Sequence, residues 1–140
     1  MYPEDIAEVL KIERASFSTP WSEISFNSEL RSQYSITKVA EMDGITIGYT
    51  CVRQIDDECH LLNLTVHPDY RNQGIAELLL KNIFSELNMS RCGYLYLEVR
   101  ASNLAARRLY EHAGFRNIGI RKNYYVAPGE DAVVMMLELP

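Results

Sequence analysis

The chain lacks any apolar run approaching the roughly 20 residues that a membrane-spanning helix needs, although 47% of its 140 residues are hydrophobic. It lacks a Cys-x-x-Cys pair. Cys51, Cys59 and Cys92 are odd in number and far apart, which argues against a disulfide framework and a zinc site and fits a reducing, cytoplasmic location. His60, His67 and His112 are scattered, so no metal site is expected. Basic residues are outnumbered: 14 Lys and Arg against 19 Asp and Glu give a net charge of −5. Nucleic-acid binders are usually basic, so neither a nucleic acid nor a membrane is expected as partner. The start, Met1-Tyr2-Pro3-Glu4-Asp5, is acidic and has no signal-peptide pattern. Glycine is sparse, and neither Gly-x-Gly-x-x-Gly nor a loop ending in Gly-Lys-Ser/Thr occurs, which sets aside the dinucleotide and nucleotide P-loop readings. No repeat, low-complexity tract or linker divides the chain, so a single domain over 1–140 is expected.

What is present is a clear alternation of periodicities. Residues 4–16 carry Ile6, Val9 and Leu10 at helical spacing, and Ser22 is a plausible N-cap for a short second helix with Phe26 and Leu30. Residues 35–41 and 45–54 read as strands joined at Asp43-Gly44, a strong hairpin sequence, and 58–66 as a third strand. From Gly74 to about Met89, Ile75, Leu78, Leu79, Ile83 and Leu87 recur at helical spacing. Residues 94–99 form a strand. Ser102 or Asn103 caps a helix to about His112, with Gly114 as its stop. Strands at 117–125 and 132–139 follow, parted by Pro128-Gly129. Such an order predicts an α/β fold, a mixed sheet flanked by helices.

The densest information lies at residues 62–80, LNLTVHPDYRNQGIAELLL. An apolar strand meets Pro68, then a polar loop with a lone glycine opens a helix. A helix N-terminus presents free N–H groups and the positive end of the helix dipole, a good phosphate site, and Gly74 lets a ligand approach the backbone. The hexapeptide Arg71-Asn72-Gln73-Gly74-Ile75-Ala76 is similar to the pyrophosphate loop of the GNAT acetyltransferase superfamily. Residues 95–115, LYLEVRASNLAARRLYEHAGF, resemble the strand and helix that follow this loop in those enzymes. They are closest to ribosomal-protein alanine N-acetyltransferases, which modify protein N-termini. Phe17-Ser18-Thr19-Pro20-Trp21, Asn123-Tyr124-Tyr125 and Gly129-Glu130-Asp131-Ala132 resemble the same group. The resemblance runs from Phe17 to Leu139 and implies a GNAT fold, in which two central strands splay apart around the coenzyme.

Acyl transfer from a thioester to an amine needs a deprotonated amine, a polarised carbonyl and a proton for the departing thiolate. A protein α-amine has a pKa of roughly 7.7–8.0, so a positioned base helps without being strong. Glu98, among apolar and aromatic neighbours, is either half of a plain ion pair with Arg100, two positions on, or a base. The resemblance implies the base, acting directly or through water. It likewise implies that Tyr110 protonates the thiolate and that Asn103, besides capping its helix, bonds the coenzyme arm. Leu64, Thr65 and Val66 are implied to pair with that arm through backbone groups, in the manner of an added strand. The pyrophosphate loop is implied to extend over Arg71, Asn72, Gln73, Gly74, Ile75, Ala76 and Glu77. Trp21 reads locally as a clamp over the core. Tyr124 and Tyr125, as strand neighbours, are expected on opposite faces, and the resemblance places all three aromatics around the acceptor groove.

The expected function is therefore acetyl transfer from acetyl-CoA, with no metal, to the α-amine of a protein N-terminus, with alanine of a ribosomal protein as the leading case. The expected assembly is a monomer or weak homodimer. The alternatives are a small-molecule amine acetyltransferase and a coenzyme-binding regulatory module with little turnover.

Overall fold

Left-handed turn residues shape the first half of the sheet in a computed structural model that describes residues 1–89 and 92–139. Asp43 and Gly44, at φ of 52° and 79°, join β1 (Ser35–Met42) to β2 (Ile45–Ile55), as the dipeptide predicts. Asp56, at φ of 57°, leads on to β3 (Glu58–Val66). Two helices precede these strands. A short 3-10 turn at Pro3–Asp5 runs into α1 (Ile6–Ser16), and Ser22 caps α2 (Glu23–Arg31) by accepting a hydrogen bond from Ser25 N–H. After β3 come α3 (Ile75–Met89), β4 (Tyr94–Arg100), α4 (Leu104–His112), β5 (Arg116–Val126) and β6 (Gly129–Glu138). β6 starts three residues before the strand expected at 132–139, because the turn needs only Ala127 and Pro128.

The six strands form one mixed sheet in the order β1-β2-β3-β4-β6-β5. Its centre positions the site. β3 and β4 run parallel but pair only at Glu58↔Tyr94, Cys59↔Leu95 and His60↔Tyr96. Beyond His60 they part, and β4 goes on pairing with β6 alone through Arg100↔Ala132. The result is an opening in mid-sheet with β3 on one side and β4 on the other.

Apolar residues cover both faces of the sheet. Ile6, Val9, Leu10 and Ile12 of α1 and Phe26 of α2 pack on Tyr49 and Cys51. On the other face, Leu80, Ile83 and Leu87 of α3 and Tyr110 of α4 pack on Leu61, Leu95, Leu97, Val99 and Met135. Leu78 is 60% exposed while Leu80 is buried, so the apolar stripe of α3 is rotated from the expected one. β2 is buried without a break from Thr46 to Val52, since it has helices on both sides. In β4 only Leu95, Leu97 and Val99 are buried. Tyr94, Tyr96, Glu98 and Arg100 share the other face, which stays partly open.

One expectation is overturned here. Cys59 and Cys92 form a disulfide, with Cα atoms 6.4 Å apart. The parallel rungs at the base of β3 and β4 bring together residues 33 apart in sequence, a contact that cysteine spacing does not encode. Cys51 is free and buried, and burial pushes its thiol up to about 12. Among the described residues, no helix is long and apolar enough to cross a membrane, and no group of three or more His, Cys, Asp and Glu could hold a metal ion.

Candidate active site

A cleft of about 530 Å³ occupies the sheet opening and the space above the open face of β4. Leu64 of β3 lines one side. Glu98 of β4 and Asn103, Ala106 and Tyr110 of the following turn and α4 line the other. The Phe17–Trp21 loop and Tyr124–Ala127 close its outer end. Seven of the residues singled out in the sequence thus meet in one cleft: Trp21, Leu64, Glu98, Asn103, Tyr110, Tyr124 and Tyr125. Thr65, Val66 and the Arg71–Glu77 loop do not line it; they continue β3 beyond it to the start of α3.

Glu98 is not paired with Arg100, so the plain ion-pair reading fails. Its side chain is 9% exposed, with Oε2 2.5 Å from His60 Nε2 and Oε1 3.7 Å from Arg121 Nη1. The hydrogen bond from His60 holds the carboxyl below the usual range. Burial opposes that shift, and the charges of His60 and Arg121 add to it. Arg100 instead points to the β5–β6 turn. It donates to Pro128 O at 2.9 Å and Ala127 O at 3.3 Å, lies 3.4 Å from a Glu130 carboxylate oxygen, and stacks 4.2 Å from the centre of the Tyr125 ring.

Tyr110 sits in the core at 8% exposure, edge-on to Phe115 at 5.5 Å. Burial raises its phenol well above the usual value, so it stays protonated across the physiological range. Asn103 caps α4, its side-chain oxygen accepting from Ala106 N–H at 3.1 Å.

The tyrosine pair departs from expectation. Asn123 has φ of 55°, and the β5 register shifts between Arg121 and Tyr125. Strict alternation is lost, and both rings face the cleft, edge to face at 5.0 Å. The acidic residues of the resembling motif hold this shape: Asp131 accepts from Asn123 N–H at 2.8 Å and Glu130 from Ser102 N–H at 2.6 Å. Burial, with Tyr124 alongside, pushes Tyr125 up to about 12.

Trp21 serves both of its readings. It packs 5.1 Å from Phe26 and lines the cleft. Its backbone N–H donates to Glu13 at 2.9 Å, and the same carboxylate accepts from Tyr49 O–H at 2.6 Å and Asn63 N–H at 2.8 Å. Glu13 is 1% exposed and ties α1, β2, β3 and the Phe17–Trp21 loop together. Sequence reasoning missed it, although it falls on the apolar stripe of α1, where a carboxylate needs a partner. Ser18 was also missed. It donates to Ala127 O at 2.5 Å and joins the two walls.

The loop after β3 has the form of an anion cradle. Gly74 has φ of 80°, and a Cβ built there would meet nothing within 4 Å, so the space beside the first turn of α3 is open. The first N–H groups of that helix have no partner within it. Arg71 braces the loop by donating to Val66 O and Ser16 Oγ, each at 3.1 Å. At Gly48 a Cβ would come within 3.1 Å of Thr65 O and 3.4 Å of Ile75, so glycine there lets α3 sit close to the sheet.

Residues 6–115 match the Acetyltransferase (GNAT) family. The ribosomal protein bS18-alanine N-acetyltransferase of Escherichia coli strain K12 is 36% identical over 137 residues, 96% of this chain and 92% of that protein. The enzyme of the same name from Haemophilus ducreyi is 37% identical over 139 residues, 97% and 95% of the two chains. The crystal structure of the E. coli ribosomal-protein-S18-alanine N-acetyltransferase superposes with a TM-score of 0.92 at 35% identity, covering 99% of this chain and 90% of that one. With this family match and the splayed sheet together, this chain belongs to the GNAT acetyltransferases and is an acetyl-CoA-dependent N-acetyltransferase.

Proposed function

We propose that the chain, acting as one domain over 1–140, transfers acetyl from acetyl-CoA to the α-amine of an N-terminal alanine on a ribosomal protein, with bS18 as the substrate. The observation that carries this reading is the placement of Glu98. It stands just past the last β3–β4 rung and lines the same cleft as Trp21, Tyr124 and Tyr125. That cleft admits a chain end, and its aromatic walls favour a small first residue. The names of two relatives that match nearly end to end supply the substrate.

Acetyl-CoA supplies an activated thioester, and the chain's own groups do the rest. Backbone N–H groups of Gln73 to Glu77, at the start of α3, face the pyrophosphate. The edge of β3 from Leu64 to Val66, unpaired by β4, takes the amide-rich arm as an added strand, and a backbone N–H there polarises the carbonyl. The Asn103 amide contributes a further hydrogen bond to the arm. Glu98 removes a proton from the incoming ammonium, directly or through one water, and the free amine attacks the thioester carbonyl to give a tetrahedral adduct. As the adduct collapses and its C–S bond breaks, Tyr110, protonated at the outset because it is buried, gives its proton to the departing sulfur, and the second proton lost from the nitrogen restores the phenol. A cytoplasmic location follows from a ribosomal-protein substrate and takes no support from the cysteines. A monomer or weak homodimer is sufficient, since every group named comes from one chain.

Mass spectrometry of ribosomal proteins from the source cells, with and without the gene, tests the substrate. We expect bS18 to carry an acetyl group on its N-terminal alanine only when the gene is present. Identical bS18 N-termini in both strains would remove bS18 as the substrate.

A further inference from the structure

His60 has no part in the steps above. It is the last β3 residue paired with β4, opposite Tyr96. Glu98 is two residues beyond Tyr96 and shares its face, so its carboxylate sits diagonally across the final rung, where the opening begins. An ionised carboxylate only accepts hydrogen bonds, so the Nε2 atom 2.5 Å from Oε2 carries the proton. The other oxygen faces Arg121 at 3.7 Å. The base is thus held from two sides, by a hydrogen bond from β3 and by charge from β5. The arginine is 60% exposed, and its guanidinium also lies 5.7 Å from the Tyr124 ring centre. Across β2, Arg53 is opposite His60 in register, but it forms an ion pair with Glu29.

We propose that His60 is a positioning residue for Glu98: its Nε2–H holds the carboxylate at the mouth of the β3–β4 opening, against the pull of Arg121. The inference rests on reading Glu98 as the base. Without the imidazole, the nearest remaining partner is Arg121, which draws the carboxylate toward β5 and away from the edge of β3. Among the described residues, no other group lies within hydrogen-bond reach of Oε2.

The test is steady-state kinetics with acetyl-CoA and an alanine-starting peptide. A displaced base lowers kcat roughly 10- to 100-fold, and we expect this of His60→Leu, with KM for acetyl-CoA unchanged. His60→Gln keeps an N–H donor at similar reach and should recover most of the loss. In a Glu98→Gln background, His60→Leu should change kcat by less than about twofold, because a group that acts through another has nothing left to act on. Should His60→Leu fail to fold, His60→Asn, whose amide is too short to reach Oε2, carries the same expectation. Wild-type kcat in a folded His60→Leu or His60→Asn protein, or losses that multiply with Glu98→Gln, would overturn the proposal. If Glu98→Gln itself keeps full kcat, the base assignment fails and the role of His60 falls with it. If Glu98→Gln is impaired and the His60 variants are not, only the positioning role is lost.

Discussion

Glu98 and Tyr110 occupy opposite protonation states for opposite physical reasons. Glu98 gains a hydrogen bond and nearby positive charge, which favour the carboxylate. Tyr110 loses water and gains no cation, which favours the phenol. The proposed mechanism needs Glu98 ionised and Tyr110 protonated at the outset, and these are the states their surroundings favour. Replacing Glu98 by Gln keeps the shape and removes the proposed base. It should lower kcat roughly 10²–10⁴-fold at neutral pH. The deficit should shrink as pH rises, because the amine then arrives already deprotonated. Tyr110→Phe should slow turnover and leave acetyl-CoA binding intact. A pH series of kcat on the two variants checks both, and near-wild-type rates at neutral pH would remove the pair from the mechanism. Residue type and local pattern made Glu98 and Tyr110 nameable in advance only through family resemblance, since nine tyrosines compete for notice. His60 was not legible, and for Glu13 only the need for a partner was, not which partner. Their meaning lies in partners 38 and 50 residues away, Glu98 and Asn63.

Elements were far more legible than contacts between them. Among the described residues, periodicity and turn chemistry located the four α-helices and six strands but not the 3-10 turn at Pro68–Tyr70, because each longer element is a local statement about which face is buried. Two failures have definite causes. The tyrosine pair escaped strict alternation because Asn123 adopts a left-handed conformation, held by Asp131. The stripe of α3 includes Leu80 rather than Leu78 because the sheet, not the helix, selects the buried side. The loop between β3 and α3 gives a prediction at this scale. Gly74 has a positive φ and open space beside it, so a methyl group meets strain but no protein atom. Gly74→Ala should destabilise the fold by about 1–2 kcal/mol. It should also raise KM for acetyl-CoA, as the methyl enters the volume that the pyrophosphate needs. Thermal melting and KM measured together separate the two effects, and an unchanged KM would show that the loop does not carry the phosphates.

At the scale of the whole molecule, helices pack on both faces of a mixed sheet whose pairing is interrupted at its centre. That one interruption, where β3 leaves β4 after three rungs, creates the site. Fold class was readable from the element order, and the splay only by resemblance, since no residue between His60 and Val66 announces that its strand loses a neighbour. The outer wall depends on long-range links of the same kind, Ser18 to Ala127 and Arg100 to the β5–β6 turn. They hold Tyr124 and Tyr125 against the Phe17–Trp21 loop, the wall at which the proposed function seats the chain terminus. The most direct measurement of what this site does is to incubate the protein with acetyl-CoA and a basic, lysine-containing peptide that starts with alanine, and to map the product by fragmentation mass spectrometry. Acetyl should appear on the α-amine, and the same peptide with a blocked N-terminus should be a poor substrate. Acetyl found mainly on lysine side chains, or transferred only to small free amines, would contradict the N-terminal assignment.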